Sequence, residues 1–333
     1  MHTPSWCHSH FPSAPAPAAQ SFALSTAITR VLTRPIAEPK PLRRIFMVGC
    51  PRSGTTVVQA MLAERGGLMT LPETHAFKHL LGALEEWIAA DSARALRRWN
   101  SRLIYARANT HRRLSDALAG VLNGRRLARH FSGRGYAAEF VRVLDRAAAD
   151  EGCTGWLEKT PEHFAYIEMI QALCPDALFV HVLRAGEDVV ASAVDAELRF
   201  ADQQAFGGGA AFWVRHWNRA AETHLRYAGQ PRHWVVCHED IVRDSQRSVA
   251  ELLEFAAVSP PQPRATQPGR IADLRHEPWK RSALNGTVVA PERKFEALFG
   301  PQAQRWIASR LHDYAALRAE IGRRQYRSAG LAR

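Results

Sequence analysis

The sequence is poor in cysteine, and the five cysteines that it has are scattered. Their number is odd, their spacings are wide, and no CxxC pair occurs. This pattern argues against a disulfide framework and against a zinc site built from cysteines, and it fits a reducing compartment. Long apolar runs are also missing. A stretch such as residues 177–183 is far shorter than a membrane-spanning helix, which needs about 20 residues.

The first 40 residues contain no charged segment followed by a clean apolar run, so no secretory signal is recognisable. We therefore predict a cytoplasmic protein without a membrane span. Residues 1–40 are rich in Pro, Ala, Ser and His, a composition typical of a flexible leader. The sequence further predicts a folded domain over residues 41–325 and a basic tail over residues 326–333.

The charge is strongly positive, with a formal net charge of +12 and a pI of about 10.1. An arginine-rich solvated surface explains this value, and so does a surface that attracts an anionic cofactor or acceptor. We predict no nucleic-acid partner. The sequence has neither the spacing of a C₂H₂ finger nor the aromatic and basic signature of an RNA-binding module.

Short apolar runs alternate with segments of helical periodicity. The runs at residues 44–48, 177–183 and 234–237 are typical of buried parallel strands, while residues 156–159 begin a further short segment. The alternation predicts an α/β fold, with a P-loop-like parallel sheet flanked by helices on both faces. Residues 77–150 carry Ala, Leu and Arg at helical spacing. They are predicted to form a helical insertion on the sheet core.

A glycine-rich loop follows the first predicted strand. Its residues fit the frame GxxxxGKS/T, except that Thr55 stands where a nucleoside triphosphatase has lysine: Gly49, Cys50, Pro51, Arg52, Ser53, Gly54, Thr55 and Thr56. The backbone amides of such a loop and the N-terminus of the helix after it hold an anion. The guanidinium group of Arg52 adds N–H hydrogen-bond donors that suit phosphate or sulfate oxygens. The missing lysine and the lack of an acidic Mg²⁺ partner favour a 5′-phosphate with one further group over a triphosphate.

A second anion anchor is predicted after the strand at residues 177–183. Arg184 follows this strand directly, and Ser192 lies within the next predicted helix. An arginine at a strand end and a serine in the first turns of a helix can converge on one anion at the carboxyl edge of a parallel sheet.

These two segments resemble a known family. PRSGTT after a hydrophobic strand resembles the 5′-phosphosulfate-binding loop of the sulfotransferases that use 3′-phosphoadenosine 5′-phosphosulfate (PAPS), and LRAGEDVVASAV resembles their 3′-phosphate-binding segment. The likeness is to bacterial sulfotransferases, and locally to tyrosylprotein sulfotransferases, over about residues 43–320. One departure is visible, because Ala185 and Gly186 follow Arg184 where the family often has Asp-Pro.

The resemblance implies an activity and a set of ligands. The activity is in-line transfer of a sulfuryl group from PAPS to an acceptor hydroxyl or amine, without a metal. The implied PAPS-binding residues are Pro51, Arg52, Ser53, Gly54, Thr55, Thr56, Arg184 and Ser192. The helical insertion at residues 77–150 would then shape the acceptor pocket. The sequence does not predict whether the acceptor is a small molecule, a glycan or a peptide, nor does it predict the oligomeric state.

The resemblance also implies the catalytic residues. Glu73 matches the glutamate that is the proposed base of the tyrosylprotein sulfotransferases, and Lys159 matches a lysine that contacts the oxygen bridging sulfate and phosphate. Arg52 completes the catalytic set. His75 and His111 remain alternative bases, because other branches of the family use histidine.

The segment at residues 275–281 is basic and aromatic, similar to the loop that many sulfotransferases close over PAPS. This likeness implies Trp279 and Lys280 as further cofactor ligands, while a plain surface loop is the other interpretation. Two other functions stay open, a P-loop small-molecule kinase and a non-catalytic protein that binds adenosine 3′,5′-bisphosphate (PAP) or another nucleotide. Thr55 argues against the kinase, and the pair Glu73 and Lys159 argues against the binding protein.

Overall fold

The computed structural model describes residues 41–82, 109–201, 206–258, 268–284 and 294–331. The predicted leader at residues 1–40 lies outside the described residues, as do residues 83–108 of the predicted helical insertion and the last two residues of the predicted tail.

The described chain contains a five-stranded parallel sheet. Its strands are β1 (Arg43–Gly49), β2 (Met69–Thr70), β3 (Gly155–Lys159), β4 (Leu178–Leu183) and β5 (His233–Cys237). The spatial order is β2-β3-β1-β4-β5, and every neighbouring pair is parallel. The predicted α/β fold and its three apolar strands are confirmed. The segment that begins at residue 156 proves to be an interior strand, which pairs with β1 and β2.

Helices occupy most of the remaining described residues. In chain order they are α1 (Thr55–Gly66), α2 (Ala76–Leu81), α3 (Thr110–Leu122), α4 (Gly133–Asp150), α5 (Ile167–Leu173), α6 (Gly186–Arg199), α7 (Gly209–Tyr227), α8 (His238–Arg243), α9 (Ser245–Phe255), α10 (Pro268–Ile271), α11 (Lys294–Leu298), α12 (Pro301–Ala308) and α13 (Tyr314–Leu331). Two 3₁₀ helices span Pro161–Tyr166 and Pro278–Ala283.

The sheet is buried on both faces, as expected for parallel strands. Successive side chains of a strand point to opposite faces, so Phe46 of β1 belongs to one apolar cluster and Ile45 and Met47 to another. Leu118 of α3 and Phe140 of α4 are fully buried in the cluster around Phe46. The described part of the helical insertion therefore packs on that face and helps to close the core.

The carboxyl ends of the five strands lie at one edge of the sheet, because all five are parallel. Five segments begin there: the loop at residues 50–54, the segment at 71–75, Thr160, Arg184 and His238. Ligands of open α/β sheets bind at this edge. The fold thus gathers the predicted site residues that follow β1, β2, β3 and β4.

A chain of three buried histidines crosses the core away from this edge. His181 of β4 lies with its Nδ1 2.9 Å from Nδ1 of His224 and with its Nε2 3.0 Å from Nδ1 of His233. Burial lowers the pKa of His224 to about 3 and that of His233 to about 4, and it holds the pKa of His181 well below its ordinary value.

These histidines are expected to make the protein sensitive to acid. Below about pH 6.5 these histidines bind protons in the unfolded chain but stay neutral in the folded protein. The free energy of unfolding is therefore highest above that pH and falls as the pH drops toward the folded-state pKa values. Each ring contributes a loss of about 1.4 kcal/mol per pH unit in that window. Urea unfolding at pH 7, 6 and 5 measures the slope.

The test variant is His224→Leu. Removing His224 should reduce the slope by about one proton's contribution. A free energy of unfolding that is constant from pH 7 to pH 5 would show that the buried rings do not titrate in this way.

Candidate active site

The loop between β1 and α1 folds as a tight turn with two residues in the left-handed region. Arg52 has φ 75° and Gly54 has φ 90°. The Ser53 amide donates to the Cys50 carbonyl oxygen at 3.1 Å, and the Gly54 carbonyl oxygen accepts from the Val57 amide at 3.1 Å to open the helix. Successive amides in such a turn form an anion-binding concavity.

His238 lies against this loop, and the sequence offered no signal for it. A Cβ on Gly54 would stand 2.4 Å from the His238 ring, so only glycine fits between the loop and the residue that follows β5. Burial, and after it the charge of Arg184, lower the pKa of His238 to about 4. The ring is therefore neutral at physiological pH and lies directly against the loop.

Several buried polar atoms around the loop have no hydrogen-bond partner within the described chain. They are Ser53 Oγ, Arg184 Nε and His238 Nδ1. Buried polar groups are normally paired, since an unpaired one costs free energy. Two of these residues, Ser53 and Arg184, carry hydrogen-bond donors, so the set fits a group rich in acceptor oxygens, such as a phosphate or a sulfate.

Two guanidinium groups meet at the loop. Arg52 donates from Nε to Ser192 Oγ at 3.1 Å, and Arg184 donates from Nη1 to the Arg52 carbonyl oxygen at 3.3 Å. Burial, and after it the charge of Arg184, lower the pKa of Arg52 to about 10, so Arg52 stays charged at neutral pH. Arg184 Nη2 also lies 3.4 Å from Asp188 Oδ2. Like charges repel, and anionic groups bound at the loop would relieve that repulsion.

The backbone around Arg184 is fixed from two sides. The Trp217 indole donates to the Arg184 carbonyl oxygen at 2.9 Å, and Glu239 Oε1 accepts from the Ala185 amide at 3.0 Å. A Cβ on Gly186 would stand about 3.0 Å from the Trp217 ring. The departure from the family pattern at residues 185–186 thus makes room for Trp217, while Arg184 and Ser192 stay on the site side.

Glu73 contacts basic side chains from three segments of the chain. Lys159 at the end of β3 and Lys280 of the second 3₁₀ helix both donate to Glu73 Oε1, the latter at 2.5 Å. His75 Nε2 lies 3.6 Å from the other oxygen, Oε2. Lys280 also pairs with Glu277. Both lysines bond Oε1, so Oε2 is the oxygen of Glu73 without a lysine partner.

The pKa values of this cluster follow from burial and mutual charge. Burial alone would raise the pKa of Glu73, but Lys159 and Lys280 outweigh it and hold that pKa well below its usual range. Burial lowers the pKa of Lys159 to about 8 although Glu73 opposes the shift. Burial also pushes down the pKa of Lys280, but Glu73 and Glu277 outweigh it and raise this pKa above its ordinary value. At neutral pH Glu73 is ionised and both lysines are predominantly charged.

The remaining predicted residues of this part of the chain are the two loop threonines, Pro51 and His111. Thr55 and Thr56 are buried in the first turn of α1, and Thr56 Oγ1 lies 3.5 Å from Lys159 Nζ. Pro51 is half-buried at the loop's entry. His111 lies in the insertion, with its Nε2 3.1 Å from the Leu127 carbonyl oxygen.

Trp279 packs beside the loop rather than on Glu73. Its ring lies 5.5 Å from Phe200 and 5.0 Å from Phe206, between ring centroids. The Phe206 ring in turn carries the Arg52 guanidinium at 5.6 Å. The second 3₁₀ helix therefore contributes to both parts of the site, an aromatic wall near Arg52 and the ammonium of Lys280 on Glu73.

No group of three or more His, Cys, Asp or Glu side chains that could hold a metal ion occurs in the described ranges. Among the helices that the structure describes, none is both long and apolar enough to cross a membrane.

A sequence model of the sulfotransferase family matches residues 44–261, about two thirds of the chain. The loop, the Arg184 segment and the cluster partners Glu73 and Lys159 all fall within that match. The chain therefore belongs to the sulfotransferase family and is a transferase.

Solved structures similar to the chain are also sulfotransferases. The sulfotransferase domain from the curacin biosynthetic pathway is 16% identical with a TM-score of 0.44, and the match covers 81% of this chain and 97% of that domain. The sulfotransferase domain of the Synechococcus PCC 7002 olefin synthase is 18% identical with a TM-score of 0.43, over 88% and 96% of the two chains. No curated protein sequence matches the chain.

Proposed function

We propose that this chain transfers a sulfuryl group from PAPS to an acceptor hydroxyl or amine. The observation that carries the proposal is the arrangement of four cations, Arg52, Lys159, Arg184 and Lys280, around a lysine-free phosphate loop in a sulfotransferase chain. Sulfuryl transfer moves negative charge between oxygens, so preorganised cations and amides can supply most of the catalysis.

The nucleotide would be held at two places. The loop amides, Ser53 and Arg52 would bind the 5′-phosphosulfate, and Arg184 with Ser192 would bind the 3′-phosphate. The unpaired Ser53 Oγ and Arg184 Nε support this assignment, because they are donors without partners in the described chain. When bound, PAPS supplies an activated sulfuryl group whose bond to the 5′-phosphate breaks during transfer.

The two reacting side chains have separate tasks. Glu73 accepts the proton of the acceptor hydroxyl or amine at Oε2, the oxygen not bonded to lysine. Lys159 lies between Glu73 and Thr56 of the loop helix, so its ammonium can neutralise charge that develops on the leaving phosphate. As this ammonium turns toward the phosphate, it withdraws from Glu73, and the carboxylate becomes a stronger base.

Calorimetry with PAP tests the proposed nucleotide site. We expect saturable binding of PAP and no comparable binding of ATP–Mg²⁺, followed by transfer of labelled sulfate from PAPS to an acceptor panel. Protein that ignores PAP at millimolar concentration would contradict the proposal. Stabilisation by ATP–Mg²⁺ alone would favour the kinase, and PAP binding without any transfer would favour a non-catalytic binding protein.

Lys280→Met is expected to move the acidic limb of the kcat/KM profile to higher pH by about one unit. Lys280 helps to hold the pKa of Glu73 low, so its removal raises that pKa and the ionised base is lost at a higher pH. Initial rates between pH 3 and pH 8 measure the shift, because the pKa of Glu73 lies well below its usual range and the acidic limb therefore falls at acid pH. Lys78→Met is the matched control, because Lys78 lies 3.8 Å from Glu162 instead of Glu73. Equal profiles for the two variants would rule out the role assigned to Lys280.

A further inference from the structure

A second carboxylate lies next to the reacting centre but faces away from it. Glu158 and Lys159 are consecutive residues of β3, and both are fully buried. Neighbouring side chains of a strand point to opposite faces, so Lys159 reaches Glu73 while Glu158 points into the protein. A buried carboxylate is costly unless donors satisfy its oxygens.

Glu158 is satisfied by three donors. Its Oε1 accepts from the hydroxyls of Thr160 at 2.6 Å and Thr74 at 2.8 Å. Its Oε2 lies 3.0 Å from Nδ1 of His163. Each threonine hydroxyl has one proton, and both protons are given to the carboxylate. The two hydroxyl oxygens can therefore act toward the rest of the protein only as acceptors.

The amides that these acceptors bind belong to the segment that follows Glu73. Thr160 Oγ1 accepts from the amides of Thr74 at 3.1 Å and His75 at 3.3 Å. Thr74 Oγ1 accepts from the Ala76 amide at 3.2 Å, and His163 Nε2 lies 3.4 Å from the Phe77 amide nitrogen. Four consecutive amides, residues 74–77, thus depend on one buried cluster.

The same segment has an unusual backbone. His75 precedes α2 with φ 46°, a left-handed conformation that a residue with a side chain rarely adopts. Such a conformation persists where the surroundings hold it in place. The helix has no side-chain cap from His75 itself, so the hydrogen bonds from Thr160, Thr74 and His163 provide that support.

We propose that the buried cluster of Glu158, Thr160, Thr74 and His163 positions Glu73 by binding the four amides that follow it. Glu158 and Thr160 are positioning residues, since they act through the backbone of residues 74–77 and not on a substrate. Their effect is to keep the Glu73 carboxylate within reach of Lys159 and Lys280. The inference rests on the proposed role of Glu73 as the base.

The experiment compares Thr160→Val with Thr160→Ser. Valine has nearly the shape of threonine but removes the hydroxyl, whereas serine keeps it. Three quantities are measured for each variant: amide hydrogen exchange of the peptide that contains residues 73–77, the pH profile of kcat for sulfuryl transfer, and the affinity for PAP.

For Thr160→Val we expect faster exchange in residues 73–77, a kcat lower by about tenfold, and an acidic limb moved to higher pH as Glu73 leaves its lysines. The affinity for PAP and the acceptor KM should change less than about threefold, because Arg52 and Arg184 are untouched. Thr160→Ser should restore the exchange rate of residues 73–77, the kcat and the position of the acidic limb. If the valine variant fails to fold, Glu158→Gln takes its place in the same measurements.

Two results would overturn the proposal. One is unchanged exchange in residues 73–77 of the folded variant, and the other is faster exchange with the kcat and pH profile of the original chain. Absence of sulfuryl transfer by the unsubstituted protein, or full activity of Glu73→Gln, would instead count against the proposed function. The exchange measurement would still decide whether the cluster holds the segment.

Discussion

Replacing Glu73 with glutamine is expected to lower turnover by about 10²–10⁴-fold, the usual contribution of a general base. Glutamine keeps the size of the side chain but can no longer accept the acceptor proton at Oε2. The affinity for PAP should change less than about threefold, because the anchors of the nucleotide are other residues. Steady-state kinetics with saturating PAPS and calorimetry with PAP measure the two quantities.

Glu277→Gln is the control for this experiment. Glu277 pairs with the same lysine, Lys280, and belongs to the 3₁₀ segment. The hydrogen bond from Lys159 Nζ goes to Glu73 and not to Glu277. Its replacement should lower turnover by less than about tenfold. If Glu73→Gln retains full activity, the base is misassigned, and His75, whose Nε2 lies 3.6 Å from Glu73, becomes the residue to replace.

Replacing Arg184 with alanine is expected to weaken PAP binding by about 100-fold while it changes the affinity for AMP by less than about threefold. A charged hydrogen bond to a phosphate contributes about 1.5–3 kcal/mol, and AMP lacks the 3′-phosphate. Ser192→Ala should produce a smaller loss in the same direction. Calorimetric titration of the original chain and the two variants with both nucleotides gives the six dissociation constants.

Arg199→Ala controls for the general loss of positive charge. Arg199 ends the same helix, α6, and forms an exposed ion pair with Asp195, so its removal should leave both affinities nearly unchanged. An equal loss of PAP and AMP affinity in Arg184→Ala would mean that Arg184 supports the loop through the Arg52 carbonyl and does not recognise the 3′-phosphate.

The parts of the fold that the sequence predicted are those with continuous apolar strands. β1, β4 and β5 are short apolar runs with a helix after each, and this signal is strong because both faces of the sheet are buried. β3 has no such run, since its last residues are Glu158 and Lys159. Lys159 is compensated by Glu73, 86 positions away, while Glu158 is compensated by His163, Thr160 and Thr74. β2 has two residues, too few for any periodicity.

The candidate site also contains residues that short motifs predict and residues whose position depends on contacts distant in sequence. Arg52, Arg184, Glu73 and Lys159 could be named from short motifs, and the structure places them at one edge of the sheet. The position of Lys280 could not be predicted, because its contact with Glu73 joins residues 207 positions apart. It was expected among the cofactor ligands, and in the structure its ammonium lies on Glu73 beside Lys159. His238 belongs to no motif, since its role depends on how closely its ring approaches Gly54.

The close approach of His238 to Gly54 ties together two positions that are far apart in the gene. A substitution at residue 54 would meet both an unfavourable left-handed backbone and an aromatic ring 2.4 Å from the new carbon atom. The residue at one position thus limits which substitutions the other position accepts. Among relatives, a side chain at residue 54 is expected only where residue 238 has become small, so the two sites should be inherited as a pair.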